Sequence, residues 1–358
     1  MSTFLGLAGM SASDYEFVRN IDKELVYTAT NEYVQQVVAY TNSLYSLFVA
    51  MDTVKYTERN KLGMTGKMQK VTKDADGKNN RPYGGFDVGY PIENYKEFVA
   101  ITDVDMAKMT TEAFQQHVDG ITTLYQNRVR HEILYALLNN TQKSVVDDYH
   151  GTIAVEPLAN GDGVVYPPLV GSDTEAADDH YLGLNYTAAN ISDTNNPYVT
   201  LKRELLEHYG GGSSGGDDVI ALIHSDQEAK TAALTDFYPV RDIRVSLNGT
   251  DSELAQYEGI PFKVIGRVSG VTVASWDWIP TGYIVTLNRQ VSAPLKRRVD
   301  SEAELGGGGL QNLEPFSDTA LTYNRWRARF GFGVHNRLAG AVGQLVASTS
   351  YTIPTLYA

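Results

Sequence analysis

Cysteine is absent from the 358 residues. That removes disulfides, thiol nucleophiles and cysteine-ligated zinc together, and it suits a reducing cytoplasm or an assembly cross-linked by other means. Positive charge is scarce: 30 Lys and Arg stand against 43 Asp and Glu, a net charge of −13. So acidic a surface repels phosphate backbones, which argues against tight sequence-independent nucleic-acid binding and leaves room only for local contacts. Long apolar runs are also missing. No stretch approaches the ~18 residues of a membrane span, and "MSTFLGLAGMSASDYEF" lacks the basic start and apolar core of a signal peptide. The expectation is a soluble protein assembled in a cytoplasm, without a membrane partner.

What is present is order along the chain. "SASDYEFV" offers a capping box, Ser13 with Glu16. Val34, Val37, Val38, Leu44, Leu47, Phe48 and Met51 then recur at helical spacing as an apolar stripe. From Tyr56 to Pro91 the chain is polar and holds "KDADGKNNRPYGG", in which Asp76-Gly77 followed by Lys78 marks a hairpin tip. The flanks carry too few apolar residues to bury both faces. A long hairpin of this kind is marginal alone and needs another surface to lie on. "TTEAFQQHVDGITTLYQNRVRHEILYALLNN", Thr110 to Asn140, steps its apolar residues by three or four from Phe114 to Leu137, which predicts one very long helix. Gly120 in its middle costs about 1 kcal/mol against alanine and points to a bend or a close contact.

Residues 151–197 read as short hairpins, because so long a structureless loop is rare in a compact domain. Helix "YVTLKRELLEHY", buried strand "DDVIALIHS", helix "DQEAKTAALTDF" and strands "YEGIPFKVIGRV" and "GYIVTLNR" follow. "AGAVGQLVASTSYTI" closes the chain as a small-residue strand.

Catalytic signatures fail on context. Gly211, Ser213 and Gly215 match G-x-S-x-G, but that elbow needs a strand before the serine and a helix after it, and the order here is reversed. No G-K-[ST] follows the glycines to make a phosphate loop. His131-Glu132 begins like a zincin helix, yet Tyr135 stands where the second ligand belongs. Asp74, Asp76 and Gly77 recapitulate only part of a calcium loop. The seven histidines show no metal-ligand spacing. Neither a catalytic residue, a cofactor nor a metal set emerges. The Tyr-rich segment around Tyr166, Tyr181 and Tyr186 is better read as hairpin packing than as a glycan-binding surface.

"RWRARFGFGVHNR", Arg325 to Arg337, is the most distinctive stretch. Period two places Arg325, Arg327 and Arg329 on one face of a strand and Trp326, Ala328, Phe330, Phe332 and Val334 on the other. The apolar face wants the long helix as its cover. The arginine face fits pairing with Asp or Glu of a neighbouring copy, because the planar guanidinium binds carboxylates bidentately.

The order of parts resembles the Hong Kong 97-type (Johnson) fold of tailed-bacteriophage major capsid proteins. Three local matches carry it: "DDVIALIHSDQEAKTAAL"; "YEGIPFKVI" with Gly259, Ile260 and Pro261; and "RARFGFGVHNRLAGAV". The resemblance implies an α+β fold with residues 1–52 as N-arm and 53–108 as extended β-hairpin loop. Residues 109–150 and 289–337 would form the peripheral domain with its spine helix, and 151–288 and 338–358 the inserted axial domain. It implies a head protein that self-assembles into hexamers and pentamers of an icosahedral virion shell enclosing double-stranded DNA, without sequence-specific binding. The implied partners are a scaffolding protein, a portal and a decoration protein. Asp76, Gly77 and Lys78, with Arg325, Arg327 and Arg329, are the expected subunit-interface residues. Some relatives cross-link through an extended-loop lysine. Lys61, Lys67, Lys70, Lys73 and Lys78 are available, but no Glu and Asn partners single one out. The alternatives are an encapsulin-like nanocompartment shell within the same fold, or a serine hydrolase using the Gly211–Gly215 loop.

Overall fold

The computed structural model describes residues 17–18, 23–60, 70–73, 85–172, 174–208, 218–240, 262–302, 305, 307–318 and 321–358. The capping pair Ser13 and Glu16, the hairpin tip at Asp76–Lys78, Gly211, Ser213 and Gly215, and Gly259–Pro261 lie outside the described residues.

Thr110 starts the long helix. Its hydroxyl oxygen accepts the Ala113 N–H, the helix runs Thr111–Leu138, and Asn139 closes it with its N–H on the Tyr135 carbonyl. Phe114, Val118, Ile121, Tyr125, Val129, Ile133 and Leu137 are all buried along one side. These are the residues selected by the three-four spacing. At ~1.5 Å per residue the helix is about 42 Å long. Gly120 neither breaks it nor meets a neighbour: a Cβ added there would find nothing within 4 Å.

The strand Leu321–Val334 lies beneath the helix, and Trp326, Ala328, Phe330, Phe332 and Val334 are buried as the alternation requires. Phe330 meets Tyr125 edge-on, with ring centroids 5.9 Å apart. This strand organises a five-stranded sheet. It pairs antiparallel with Glu93–Thr102, with Leu310–Asp318 and, at its end, with Leu295–Arg298. Leu295–Arg298 in turn runs parallel to Val49–Thr53.

That last pairing corrects the reading of the early apolar stripe. Helix Lys23–Leu44 stops short of Met51. Phe48 stacks on Trp276 at 5.7 Å, and Val49–Thr53 becomes a strand in which Met51 is 57% exposed. Ladder bonds to a strand far along the chain replace the intrahelical ones, a tertiary contact that outweighs local periodicity.

A second sheet has seven strands, in the spatial order Phe237–Pro239, Lys263–Val268, Val271–Ser275, Val219–Ile223, Tyr283–Asn288, Gly340–Gln344 and Tyr181–Gly183. Val219–Ile223 is buried throughout because both faces are covered. Ile220 and Leu222 join the core shared with the long helix, whereas Val219, Ala221 and Ile223 face a second core around helix Pro197–Leu206. A strand buried on both faces reads as a continuous apolar run, as "VIALI" does. Short pairs, Lys143–Asp147 with Gly151–Val155 and Asn160–Tyr166 with Ala176–Asp179, fill the region expected to hold hairpins. The segment expected as one helix from Asp226 is shorter, a 3-10 turn at Ser225–Gln227 followed by Glu228–Ala232.

Candidate functional site

The base of the polar hairpin is where charge and architecture meet. Thr57–Asn60 pairs antiparallel with Phe86–Gly89, so Glu58 faces Val88 in register. The chain then crosses the five-stranded sheet through Gly89, Tyr90 and Pro91. Gly331 and Gly333 make that crossing sterically allowed. A Cβ on Gly331 would lie 2.4 Å from the Pro91 carbonyl oxygen, and one on Gly333 would lie 2.5 Å from that of Gly89. The two glycines continue the arginine face of the strand, while Phe330 and Phe332 point to the helix. "RFGFGV" therefore encodes a packed side and a bare side on which another segment lies.

Beneath the crossing runs "LKRR", Leu295–Arg298, a buried strand with three successive cations. Each meets a carboxylate from a different place. Lys296 Nζ lies 2.7 Å from Glu58 Oε2. Arg297 grips Asp52 with two bonds, 2.8 Å from Nε and 2.6 Å from Nη2, and donates from Nη1 to Asn42 at 2.6 Å. Arg298 Nη1 donates to Asp147 Oδ2 at 2.8 Å and to the Tyr90 carbonyl at 3.0 Å. The Lys296 hydrogen bond is the chief cause holding the Glu58 carboxyl down to about 2. Burial alone would raise Asp147, but the Tyr149 amide, Arg298 and the His150 amide outweigh it and keep this carboxyl low. Buried charges persist only when paired and hydrogen-bonded. Here the pairing ties the N-terminal helix, the hairpin base and the Lys143–Val155 hairpin to one strand.

The arginines singled out by the sequence lie beside this cluster. Arg325 is exposed, Arg327 Nη2 donates to Gln311 Oε1 at 2.9 Å, and Arg329 Nη1 lies 3.3 Å from Asp300 Oδ2. Arg337, at the end of the same stretch, is buried. Its Nε donates to the Pro157 carbonyl at 2.8 Å, and its Nη1 lies 2.8 Å from Asp162 Oδ2.

Lys296, Arg297, Arg298 and their carboxylate partners were not identified by sequence reasoning. The available signal was three consecutive cations after a leucine: a strand alternates faces, so such a run cannot keep all three in water. The histidines, scattered in sequence, are partly gathered by the fold: His180 and His208 both reach Oδ2 of Asp178. Among the described residues, no helix is long and apolar enough to cross a membrane.

The same architecture recurs in solved structures. A chain of Mycobacterium phage Patience superposes with a TM-score of 0.69 at 18% identity, over 95% of this chain and 92% of that one. The chain has a phage-capsid fold. The mature capsid of bacteriophage PhiM1 matches with a TM-score of 0.51 at 10% identity, covering 85% of this chain and 87% of the other. The capsid of a native GTA particle matches at 0.50 and 13% identity, covering 86% and 90%. No protein-family model matches the chain, and no curated protein does. The likeness is one of shape, and it extends over nearly the whole length.

Proposed function

We propose that this chain is a major head protein that assembles into hexamers and pentamers of an icosahedral shell around double-stranded DNA. The supporting observation is the capsid-type fold, matched over 95% of the chain. In this reading residues 1–52 are the N-arm and 53–108 the extended loop. The long helix and the five-stranded sheet (109–150 and 289–337, joined by strands from the arm and loop) are the peripheral domain. The seven-stranded sheet (151–288 and 338–358) is the axial domain. The chain acts as a structural protein, not an enzyme, in the virion, and it is built in the host cytoplasm with a scaffolding protein, a portal and a decoration protein.

The paired cations of Leu295–Arg298 support a mechanical role for the loop. A projecting ribbon transmits force between copies only if its base is fixed; Lys296–Glu58 holds that base, and Arg297–Asp52 holds the end of the arm that leads into it. Arg325, Arg327 and Arg329, with the tip at Asp76, Gly77 and Lys78, are the residues we assign to contact with neighbouring copies. A net charge of −13 suits a lining along which packaged DNA slides without sticking.

Size-exclusion chromatography and negative-stain imaging of the purified chain, alone and with a co-expressed scaffold, test the reading. Rings or closed shells are expected. A monomer under every condition would overturn it.

A further inference from the structure

A half-buried cluster away from the hairpin base has no part in the shell reading. Asp178 lies in the strand Ala176–Asp179, and Glu207 and His208 follow helix Pro197–Leu206. Ligand-capable atoms of these three side chains all lie within 4.8 Å of one another. His208 is aimed: its Nδ1 donates to the Pro167 carbonyl at 2.7 Å, which fixes the ring and turns Nε2 to the cluster. That Nε2 donates to Asp178 Oδ2 at 2.8 Å, a proton a bound cation would displace, and lies 3.9 Å from Glu207 Oε1.

Asp178 is aimed as well. The Asp179 amide donates to its Oδ1 at 2.8 Å, and the ring of His180, wholly buried, puts Nε2 2.9 Å from its Oδ2. His180 is itself fixed by the Gly340 carbonyl, 2.7 Å from Nδ1. Ligands oriented by carbonyls and imidazoles behind them are the usual support of a metal centre. Seen from a cation ~2.1 Å away, two ligand atoms separated like His208 Nε2 and Asp178 Oδ2 subtend about 85°, close to an octahedral angle.

We propose that Asp178, Glu207 and His208 bind a divalent first-row transition ion of the Mn²⁺, Co²⁺ or Zn²⁺ class, with waters completing its shell. One imidazole with two carboxylates is a borderline donor set suited to these ions. The ion would fasten the end of helix Pro197–Leu206 to the Asn160–Asp179 hairpin, immediately before the glycine-rich run that begins at Gly210.

The test is a titration of the metal-stripped full-length chain with Co²⁺ near neutral pH, followed by visible absorption and thermal melting. Saturable binding of one ion per chain is expected, with a rise in Tm that grows with free metal and displacement by Zn²⁺. Glu207→Gln should weaken Co²⁺ by about tenfold or more in a chain that still melts cooperatively without metal. His224→Asn, at a histidine beside the exposed Asp226, should change neither. Absence of saturable binding overturns the proposal, as does equal affinity in Glu207→Gln or loss of binding in His224→Asn. A melt that responds to acid but not to Co²⁺ also overturns it, because protons then fill the cluster.

Discussion

Arg298 and Asp147, 151 residues apart in sequence, form a 2.8 Å ion pair with both side chains shut off from water. Such a pair contributes little net stability when intact and costs a great deal when halved, because the orphaned charge stays buried. Asp147→Ala should lose about 3–5 kcal/mol in urea unfolding. The double change Arg298→Met with Asp147→Val should recover most of that loss. A single variant as stable as the parent would show the pair to be solvated.

Glu58 gives a pH signature with a definite sign. Its carboxyl is held at about 2 in the folded chain against an ordinary 4.5. A depressed carboxyl contributes stability that is fully present above the unfolded value and is lost as pH falls towards the folded one. Stability should therefore fall between about pH 4.5 and 2, and Glu58→Gln should flatten that part of the curve, measured by thermal melts across the window. The same slope in both proteins would contradict the Lys296–Glu58 assignment.

Glycines in the two long elements should respond in opposite directions. Gly120→Ala has open space and should stabilise by about 1 kcal/mol. Gly331→Val would drive side-chain carbons into the Pro91 carbonyl and should cost roughly 1–3 kcal/mol or more. Denaturant midpoints of the two variants check both signs.

For the arginine face, a charge swap separates a contact within the chain from one between copies. Arg329→Glu alone breaks the pair with Asp300. Adding Asp300→Arg restores the pair but leaves a neighbour facing the wrong sign. The swapped chain should fold with normal helicity, measured by circular dichroism, and fail to form shells, scored by imaging. Normal shells from the swap would confine Arg329 to the Asp300 pair.

Removing Phe330, which is fully buried among the rings of Tyr125, Tyr95 and Phe332, should cost about 3–5 kcal/mol, because truncation leaves a cavity between the strand and the long helix. Thermal unfolding of Phe330→Ala checks this.

Legibility followed periodicity. The long helix was readable to within a residue or two at each end, because Thr110 and Asn139 are capping residues and seven apolar side chains share one stripe. The strand around Trp326 was equally plain, since period two separates arginines from aromatics. The strands Val271–Ser275, Leu295–Arg298 and Leu310–Asp318 were not read. "LKRR" looks like solvated surface until its partners Glu58, Asp52 and Asp147 are brought to it from three distant segments, and no local pattern reports that. The Asp178 cluster was hidden for the same reason: His180 and His208 are separated by a helix, and only folding brings them to one oxygen.

The parallel ladder between Val49–Thr53 and Leu295–Arg298 sets a schedule for synthesis. Asp52 must wait for Arg297, 245 residues later. At ~5–20 residues per second that delay is on the order of ten to fifty seconds. During that interval the early third of the nascent polypeptide leaves the ribosome with a strand edge unpaired and several acids uncompensated. Chaperone occupancy should be highest on this edge, and translational pausing upstream of Leu295 should lower the yield of usable chains more than pausing downstream of it.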